Sequence, residues 1–371
     1  MKTFFNLIQE VQKPGLCHRC GGCVTFCTAV NYGALDLDEQ GNPYYSEIDK
    51  CIECGLCHAI CPEIDELDEE TKRLVSWSAP VGRIMETTVA RAVDPAVRAR
   101  ATDGGAVTAL LLHLFETGRI DGAVVTRPVN LYQREPFLAQ SKQDIVESAG
   151  FQIDTSHGMK RFSERYQTYS SIEGLGALLR RGLRRVAFIG TPCQVKAIRK
   201  MQVLEIVPSE TIHLCFGLFC SGNFVFGEAQ RQEVARLGGF SWEQAVKLNI
   251  KEAFQVHLQN GSMCSIPLDR LEFMKRQACS YCPDYSAELA DLSFGGIGAA
   301  EGWTTVVART PKGRAALADS RGATIEDFDP ARNRTYVSQA FNRILDWSER
   351  KKRMAEENRK ALGKPSVRLK E

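Results

Sequence analysis

Eight cysteines in the first 61 residues fall into two runs of the same spacing. Cys17, Cys20, Cys23 and Cys27 form one C-x2-C-x2-C-x3-C series. Cys51, Cys54, Cys57 and Cys61 form the other, each 34 residues after its counterpart. A constant offset is the trace of a duplicated, pseudo-twofold unit. Three thiolates spaced two residues apart wrap one face of an iron–sulfur cubane, while the fourth turns away to the cubane of the other half. Gly21, Gly22 and Gly55 let the backbone pass close to the inorganic core without a Cβ clash. This pattern assigns Cys17, Cys20, Cys23 and Cys61 to one 4Fe–4S cluster, and Cys51, Cys54, Cys57 and Cys27 to a second. Zinc knuckles also use C-x2-C pairs, but four cysteines per run, repeated at a fixed offset, select iron–sulfur. Thr28 stands where the second run has Pro62, and this removes no ligand.

Composition explains why the cysteines are not staples. A chain of 371 residues, 44% hydrophobic, can bury a core of its own and reads as two domains. The net charge of +2 argues against nucleic-acid binding through general basicity. The longest apolar run, Ala106–Phe115, is interrupted by His113 and falls short of the ~18–20 residues a membrane helix needs. The first fifteen residues carry charges of both signs and lack the apolar segment of a signal peptide. A cytoplasmic, reducing location is therefore expected, and for the 14 cysteines metal or redox chemistry is a better reading than disulfides.

Three charged features accompany the cysteines. His18 and His58 lie within the cluster loops and are expected to be exposed surface residues, since eight thiolates fill both clusters. Glu63, Asp65, Glu66, Asp68, Glu69 and Glu70 form an acidic run, read as a solvated linker or as a docking face for a basic redox partner. Residues 347–371 hold nine Lys/Arg against four Asp/Glu, read as a solvated helix end or a strap onto an acidic partner subunit.

Beyond Thr87 strands and helices alternate. Thr87–Val93 is rich in β-branched residues and reads as a strand. Thr102-Asp103-Gly104-Gly105 opens a helix with the apolar stripe Val107, Leu110, Leu111, Leu114 and Phe115, stopped by Gly118. Further strands are read at Gly122–Thr126, Arg185–Ile189, Thr211–Phe219 and Trp303–Arg309. A helix over Ser171–Arg181 closes at Gly182, and a hairpin turns around Asn260-Gly261. Such alternation argues for an α/β domain with a mixed sheet.

The remaining six cysteines lie in this domain. Cys279 and Cys282 form a C-x2-C pair; Cys193 sits on a turn after one strand, and Cys220 ends another. Open α/β sheets place ligands at such strand ends, so these four can converge on a third cluster, which spacing alone leaves open. Cys215 and Cys264 read as packing residues, with Cys215 a rival to Cys220 as fourth ligand. Thr102–Gly105 at a helix N-terminus, and the turn at Gly295 and Gly296, could cradle an anion or a cofactor. A simple helix cap is the alternative at the first. No dinucleotide-binding glycine motif follows a strand.

Several blocks carry a family resemblance. Gly190-Thr191-Pro192-Cys193-Gln194, Gly217-Leu-Phe-Cys220, Cys279-x2-Cys282-x-Asp284 and Ala290-Asp-Leu-Ser-Phe-Gly295 resemble the beta-subunit family of coenzyme F420 hydrogenase and dehydrogenase. So do Asp103-Gly-Gly-x-Val-Thr-Ala109 and Gly302–Arg309. The resemblance spans roughly residues 10–320. It implies FAD in the α/β domain, a proximal 4Fe–4S cluster on Cys193, Cys220, Cys279 and Cys282, and flavin contacts at Thr102, Asp103, Gly104, Gly105, Thr108, Thr191, Pro192, Asn223, Gly295 and Gly296. Asp154–Tyr169 is where substrate-specific contacts are expected.

The expected fold is α+β and α/β: a two-cluster 4Fe–4S ferredoxin-like domain (1–75), a mixed α/β domain for FAD and a third cluster (85–345), and a basic C-terminal helix or tail (346–371). The expected function is an electron-transfer flavo-iron–sulfur oxidoreductase, a subunit of a larger redox complex. It would exchange electrons with a soluble carrier, coenzyme F420 by resemblance, at FAD, and with one-electron partners through the clusters. The alternative is a self-contained, ferredoxin-dependent reductase of a small organic substrate, which would turn over without a partner subunit.

Overall fold

The computed structural model describes residues 2–29, 32–38, 40–132, 134–150, 183–206, 209–328 and 333–363. The helix expected over Ser171–Arg181 and the segment Asp154–Tyr169 lie outside the described residues.

Each N-terminal cysteine run leads from a loop into a short helix, Gly22–Ala29 and Leu56–Ala59. Gly55 starts the second with φ +73°, a backbone angle that costs other residues a steric clash. Between the runs β1 (Leu35–Leu37) pairs antiparallel with β2 (Pro43–Tyr45). Phe4, Leu7, Val11, Leu16, Val24 and Leu35 form the small core of this unit, and the Phe4 ring meets Tyr45 edge-on at 4.9 Å.

The main sheet is built from β3 (Glu86–Ala92), β4 (Gly122–Pro128), β5 (Arg134–Ala139), β6 (Val186–Gly190) and β7 (Ile212–Leu218). A separate antiparallel sheet follows, of β8 (Ala245–Ile250), β9 (Ala253–Leu258) and β10 (Met263–Pro267). β11 (Leu292–Gly295), β12 (Thr304–Ala308) and β13 (Ile325–Asp327) complete the main sheet, in the order β13-β3-β12-β11-β7-β6-β4-β5. Its central strands β4, β6, β7 and β11 are parallel and its flanks antiparallel. Parallel strands are covered on both faces, and β6 is accordingly apolar throughout. The helix Ala106–Glu116 lays Ala106, Ala109, Leu110 and Leu114 onto the sheet as the periodicity requires.

Register decides where the chemistry lies. Gly190 ends β6 beside Gly217 of β7, so Cys193 and Cys220 emerge at the same carboxyl end of the sheet. A Cβ on Gly217 would stand 2.2 Å from Ala287 Cβ, so only glycine admits the loop that follows Cys279 and Cys282. Buried Arg309, just past β12, holds this loop and the interdomain linker together. Its guanidinium donates to Ser293 Oγ at 2.6 Å, to the Val81 carbonyl at 2.7 Å and to Ser286 O and Oγ at 3.0 and 2.9 Å.

A single helix, Asn333–Ala361, closes the described chain. The boundary expected at 346 therefore falls inside it.

Candidate metal and cofactor site

The two halves of the N-terminal unit form two cavities. Cys17, Cys20, Cys23 and Cys61 line one; Cys27, Cys51, Cys54 and Cys57 line the other. These are the two sets assigned from spacing, with the fourth ligand exchanged between halves. Burial pushes up the thiols of Cys17, Cys23 and Cys27, and raises Cys20 to about 11 and Cys57 and Cys61 to about 12, with neighbouring thiols of the same set adding to the shift of Cys57 and Cys61. Cys23 senses Cys20, Cys17 and Cys61 and, across the pseudo-twofold, Cys57. Among the described residues no three His, Cys, Asp or Glu side chains converge closely enough for a single ion.

The four cysteines of the α/β domain also gather. Cys193 lies in the first turn of the helix Pro192–Val203, with Thr191 Oγ1 3.2 Å from its sulfur. It is in electrostatic reach of Cys282 and of Cys20 from the first N-terminal set. Cys220 senses Cys279 and Cys282. The Asn223 amide donates to Cys279 Sγ at 3.2 Å. Burial raises the Cys279 thiol, but a hydrogen bond from His18 and its charge outweigh burial and bring it down to about 7. Cys215 is fully buried within β7 among Phe188, Ile198 and Ala290, and Cys264 donates to the Gly238 carbonyl at 3.2 Å. Cys220, not Cys215, therefore joins the group.

Beyond Cys220 lies an open cleft of about 1380 Å³, its mouth included, at the carboxyl ends of β4, β6, β7 and β11. Thr102, Asp103, Gly105, Thr108, Thr191, Asn223, Gly295 and Gly296 line it, with Cys220 at one end. The N-terminus of the helix Ala106–Glu116 opens onto it, and the first amides of a helix lack intrahelical partners. Such a cleft has the anion-binding end that a phosphate-bearing cofactor needs. Gly104 and Pro192 lie behind its wall. The Gly104 amide donates to Thr304 Oγ1 at 3.0 Å, and Pro192 is buried in the first turn of its helix.

Residues that spacing did not single out also build the cleft. Lys251, from the three-stranded sheet, pairs with Asp103 at 3.0 Å, and Asn249 donates to the same carboxylate at 3.2 Å. Tyr285 stacks on Trp347 at 5.7 Å, and both rings line the cleft. The aromatic residue after the C-x2-C pair was the only available signal. Trp347 is brought in by a helix with no motif.

Three sequence expectations are corrected. His18 and His58 are buried, not exposed. His18 Nε2 lies 2.7 Å from Glu63 Oε1, and His58 Nε2 lies 3.1 Å from Glu10. The acidic run is not one solvated face: Glu63 is buried, and Asp68 pairs with Lys196 and Lys200 at 2.8 and 3.0 Å. The basic helix is not a free solvated end, since it grips its own chain. Lys351 donates to the carbonyls of Cys220 and Asp284, Lys352 pairs with Glu288 at 2.6 Å and Arg359 with Glu63 at 2.7 Å.

A duplicated cluster unit packed on a mixed sheet, with further thiolates beside a cofactor-sized cleft, defines an iron–sulfur oxidoreductase. Three family models agree: a 4Fe-4S dicluster domain over residues 9–62, and the N-terminal and C-terminal parts of the coenzyme F420 hydrogenase/dehydrogenase beta subunit over 87–161 and 183–332. The chain belongs to that beta-subunit family. It is 30% identical over 294 residues to the coenzyme F420 hydrogenase subunit beta of Methanothermobacter thermautotrophicus, covering 77% of this chain and 99% of that one. With the coenzyme F420-dependent sulfite reductase of Methanocaldococcus jannaschii it shares 28% identity over 351 residues, 88% of this chain but 50% of the larger protein. Among solved structures it resembles a chain of the F420-reducing NiFe hydrogenase complex from Methanosarcina barkeri. The TM-score is 0.63 at 25% identity, covering 78% of this chain and 99% of that one. The helix Asn333–Ala361 follows the residues matched by the family models. No helix among the described residues is long and apolar enough to cross a membrane.

Proposed function

We propose that the chain is the flavin-bearing electron-transfer subunit of a redox complex. It would carry FAD in the cleft, 4Fe–4S clusters on the two N-terminal sets, and a third cluster on Cys193, Cys220, Cys279 and Cys282. Held there, FAD would supply hydride exchange with a soluble carrier and the clusters single-electron transfer, a division of labour that clusters alone cannot supply. Coenzyme F420 is the carrier that the family implies.

The observation that carries this reading is the continuity of the sites. Cys220 belongs both to the cleft wall and to the third thiolate group. Cys193 of that group reaches Cys20 of the first N-terminal set, and Cys23 of that set reaches Cys57 of the second. In this arrangement the chain's residues hold, orient and bury. The free amides of the helix Ala106–Glu116 receive phosphate, Tyr285 and Trp347 wall off the cleft, and the loops keep solvent from the sulfurs.

Anaerobic purification with iron, sulfide and flavin analysis tests the reading. About 12 irons per chain are expected from three cubanes of four irons each, with one flavin. Cys279→Ser should remove about four of them. Native protein with about eight irons would sink the third cluster, and absence of flavin would sink the cleft assignment. Co-eluting proteins distinguish a complex subunit from a reductase that turns over alone with reduced ferredoxin.

A further inference from the structure

The two cysteine runs are offset by 34 residues, so each loop position in one half has a counterpart in the other. In the first half the loop is covered by the chain itself. Arg276 Nη1 donates to the His18 carbonyl at 3.3 Å, and Gln277 Nε2 donates to the Pro14 carbonyl at 3.4 Å. A Cβ on Gly15 would stand 2.4 Å from Gln277 Oε1, so the two loops are in close contact. Both donors stand at the start of the turn that carries Cys279, which sets this face of the first half against the third thiolate group.

In the second half the same face is turned to solvent. The counterparts of Pro14 and His18 are Ile48 and Ile52, which are 62% and 57% exposed, whereas His18 is 7% exposed. Ile52 lies between the ligands Cys51 and Cys54. Exposed Tyr32 lines the same cavity as Ile52 and Glu53, and exposed Phe5 follows Phe4 of its wall. Single exposed apolar residues are ordinary, but a group of them around one thiolate set marks an interaction face. The charge inverts as well. Lys13–Arg19 holds two basic residues and no acid, +2, while the matching Glu47–Glu53 holds three acids and one lysine, −2. Lys50 pairs with Glu47 at 2.7 Å, which leaves the charges of Asp49 and Glu53 to set the sign of the rim.

We propose that the segment Ile48–Glu53 is the docking face for a one-electron carrier protein whose contact surface is apolar at its centre and ringed by Lys or Arg. The duplicated loop is used twice: one copy seats the chain's own third thiolate group, and the other seats an external redox centre. Each encounter moves one electron, so that the group held by Cys27, Cys51, Cys54 and Cys57 loses one and the partner's centre gains one, or the reverse. The apolar centre excludes water from the contact, and the acidic rim steers a basic partner toward it. This inference rests on the cluster reading of the N-terminal sets and names the partner chemistry at their outer end.

The test uses the anaerobically purified full chain, reduced with dithionite and freed of the excess. The probe is oxidised cytochrome c, a basic one-electron haem protein, and a net-neutral, zwitterionic viologen serves as a small carrier that needs no docking face. Asp49→Lys with Glu53→Lys should lower the second-order rate of haem reduction at low ionic strength at least ~tenfold. Iron content and the viologen rate should stay unchanged. Glu69→Lys with Glu70→Lys makes the same charge change on an exposed helix elsewhere, and should alter the cytochrome rate less than about twofold. Ile48→Ser, outside the ligand loop, should weaken binding of zinc-substituted cytochrome c about fivefold in fluorescence anisotropy, and it carries the test alone if the charge-reversed chain loses iron. Unchanged cytochrome rate and binding at full iron, or equal slowing by the two charge reversals, overturns the proposal. A dimer of the native chain that Ile48→Ser dissociates in sedimentation also overturns it, by making a second copy the occupant. A native chain with fewer than about eight irons would instead sink the cluster reading on which the inference rests.

Discussion

Lys351→Met isolates the electrostatic work of the C-terminal helix. The ammonium donates to the Cys220 carbonyl at 2.5 Å and to the Asp284 carbonyl at 2.8 Å. Burial would lower its pKa, but the thiols of Cys282, Cys220 and Cys279 outweigh burial and raise it above the usual lysine value. One-electron reduction adds one negative charge to the group these thiols would hold. At ~6 Å and an effective dielectric of 20, a unit positive charge stabilises that added charge by about 3 kcal/mol. The stem of Lys351 is partly exposed, so solvent screening trims this to roughly 1.5–3 kcal/mol. At ~59 mV per decade of equilibrium constant, that is about 60–120 mV.

Methionine keeps the stem's volume and deletes only the charge and the two donors. Lys351 lines a neighbouring open cavity of about 800 Å³, its mouth included, through which water can replace the lost donors, so the loops should survive. Spectroelectrochemical titration should show the third cluster's midpoint lowered by about 60–120 mV, with iron content unchanged and the midpoint of the distal set, Cys27, Cys51, Cys54 and Cys57, fixed. A shift below ~20 mV at full iron, or an upward shift, would refute the argument.

Arg309→Met should destabilise the protein by about 3–5 kcal/mol in denaturant unfolding, because four buried acceptors lose a charged donor together. Gly105→Val should unfold at a lower midpoint whether or not flavin is present. Gly105 has φ +75°, and a Cβ there meets Val97 and Ala101 at 3.2 and 3.3 Å, not the cleft. Trp347→Leu should leave iron content intact and weaken flavin retention about tenfold in equilibrium dialysis, by removing one ring of the cleft wall. Replacing Glu66, Glu69 and Glu70 by glutamine should change stability by less than ~0.5 kcal/mol, since all three are exposed. Asp68→Asn should cost about 2–4 kcal/mol, because it strips the counter-charge from fully buried Lys200.

What could be read from the sequence followed the range of the physics. The N-terminal sets were legible because ligand spacing is local chemistry and the offset is exact in the residues themselves. The helix Ala106–Glu116 and the central strands were legible from periodicity and β-branching. β5, β8, β11 and β13 were not singled out: β11 and β13 are only four and three residues long, β5 contains Pro136, and pairing fixes them more than their own residues do. His18, Glu63 and Arg359 were read as separate solvated charges, because each looks hydrophilic alone and only the fold supplies its partners. Gly105 shows a different limit. Its turn was placed correctly, but the direction of its missing side chain could not be read without the packing around Val97.

Pseudo-twofold symmetry makes the two N-terminal sets equivalent in sequence, so something else must choose which faces the α/β domain. The helix Pro192–Val203 makes that choice. Its first turn carries Cys193, and Lys200, seven residues and ~10 Å further along, donates to the Cys61 carbonyl at 3.1 Å and to the Ile64 carbonyl. Asp68, in the helix that follows, pairs with Lys196 and Lys200 of the same surface. Burial and Lys196 lower the Lys200 ammonium to about 8, against the pull of Asp68. One rigid rod therefore presents a thiolate of the third group at one end and grips the fourth ligand of the first set at the other. Cys61, the residue that crosses between the halves, is the point gripped, which breaks the symmetry. The set of Cys17, Cys20, Cys23 and Cys61 must then face Cys193, and the set containing Cys51 becomes the distal end of the row.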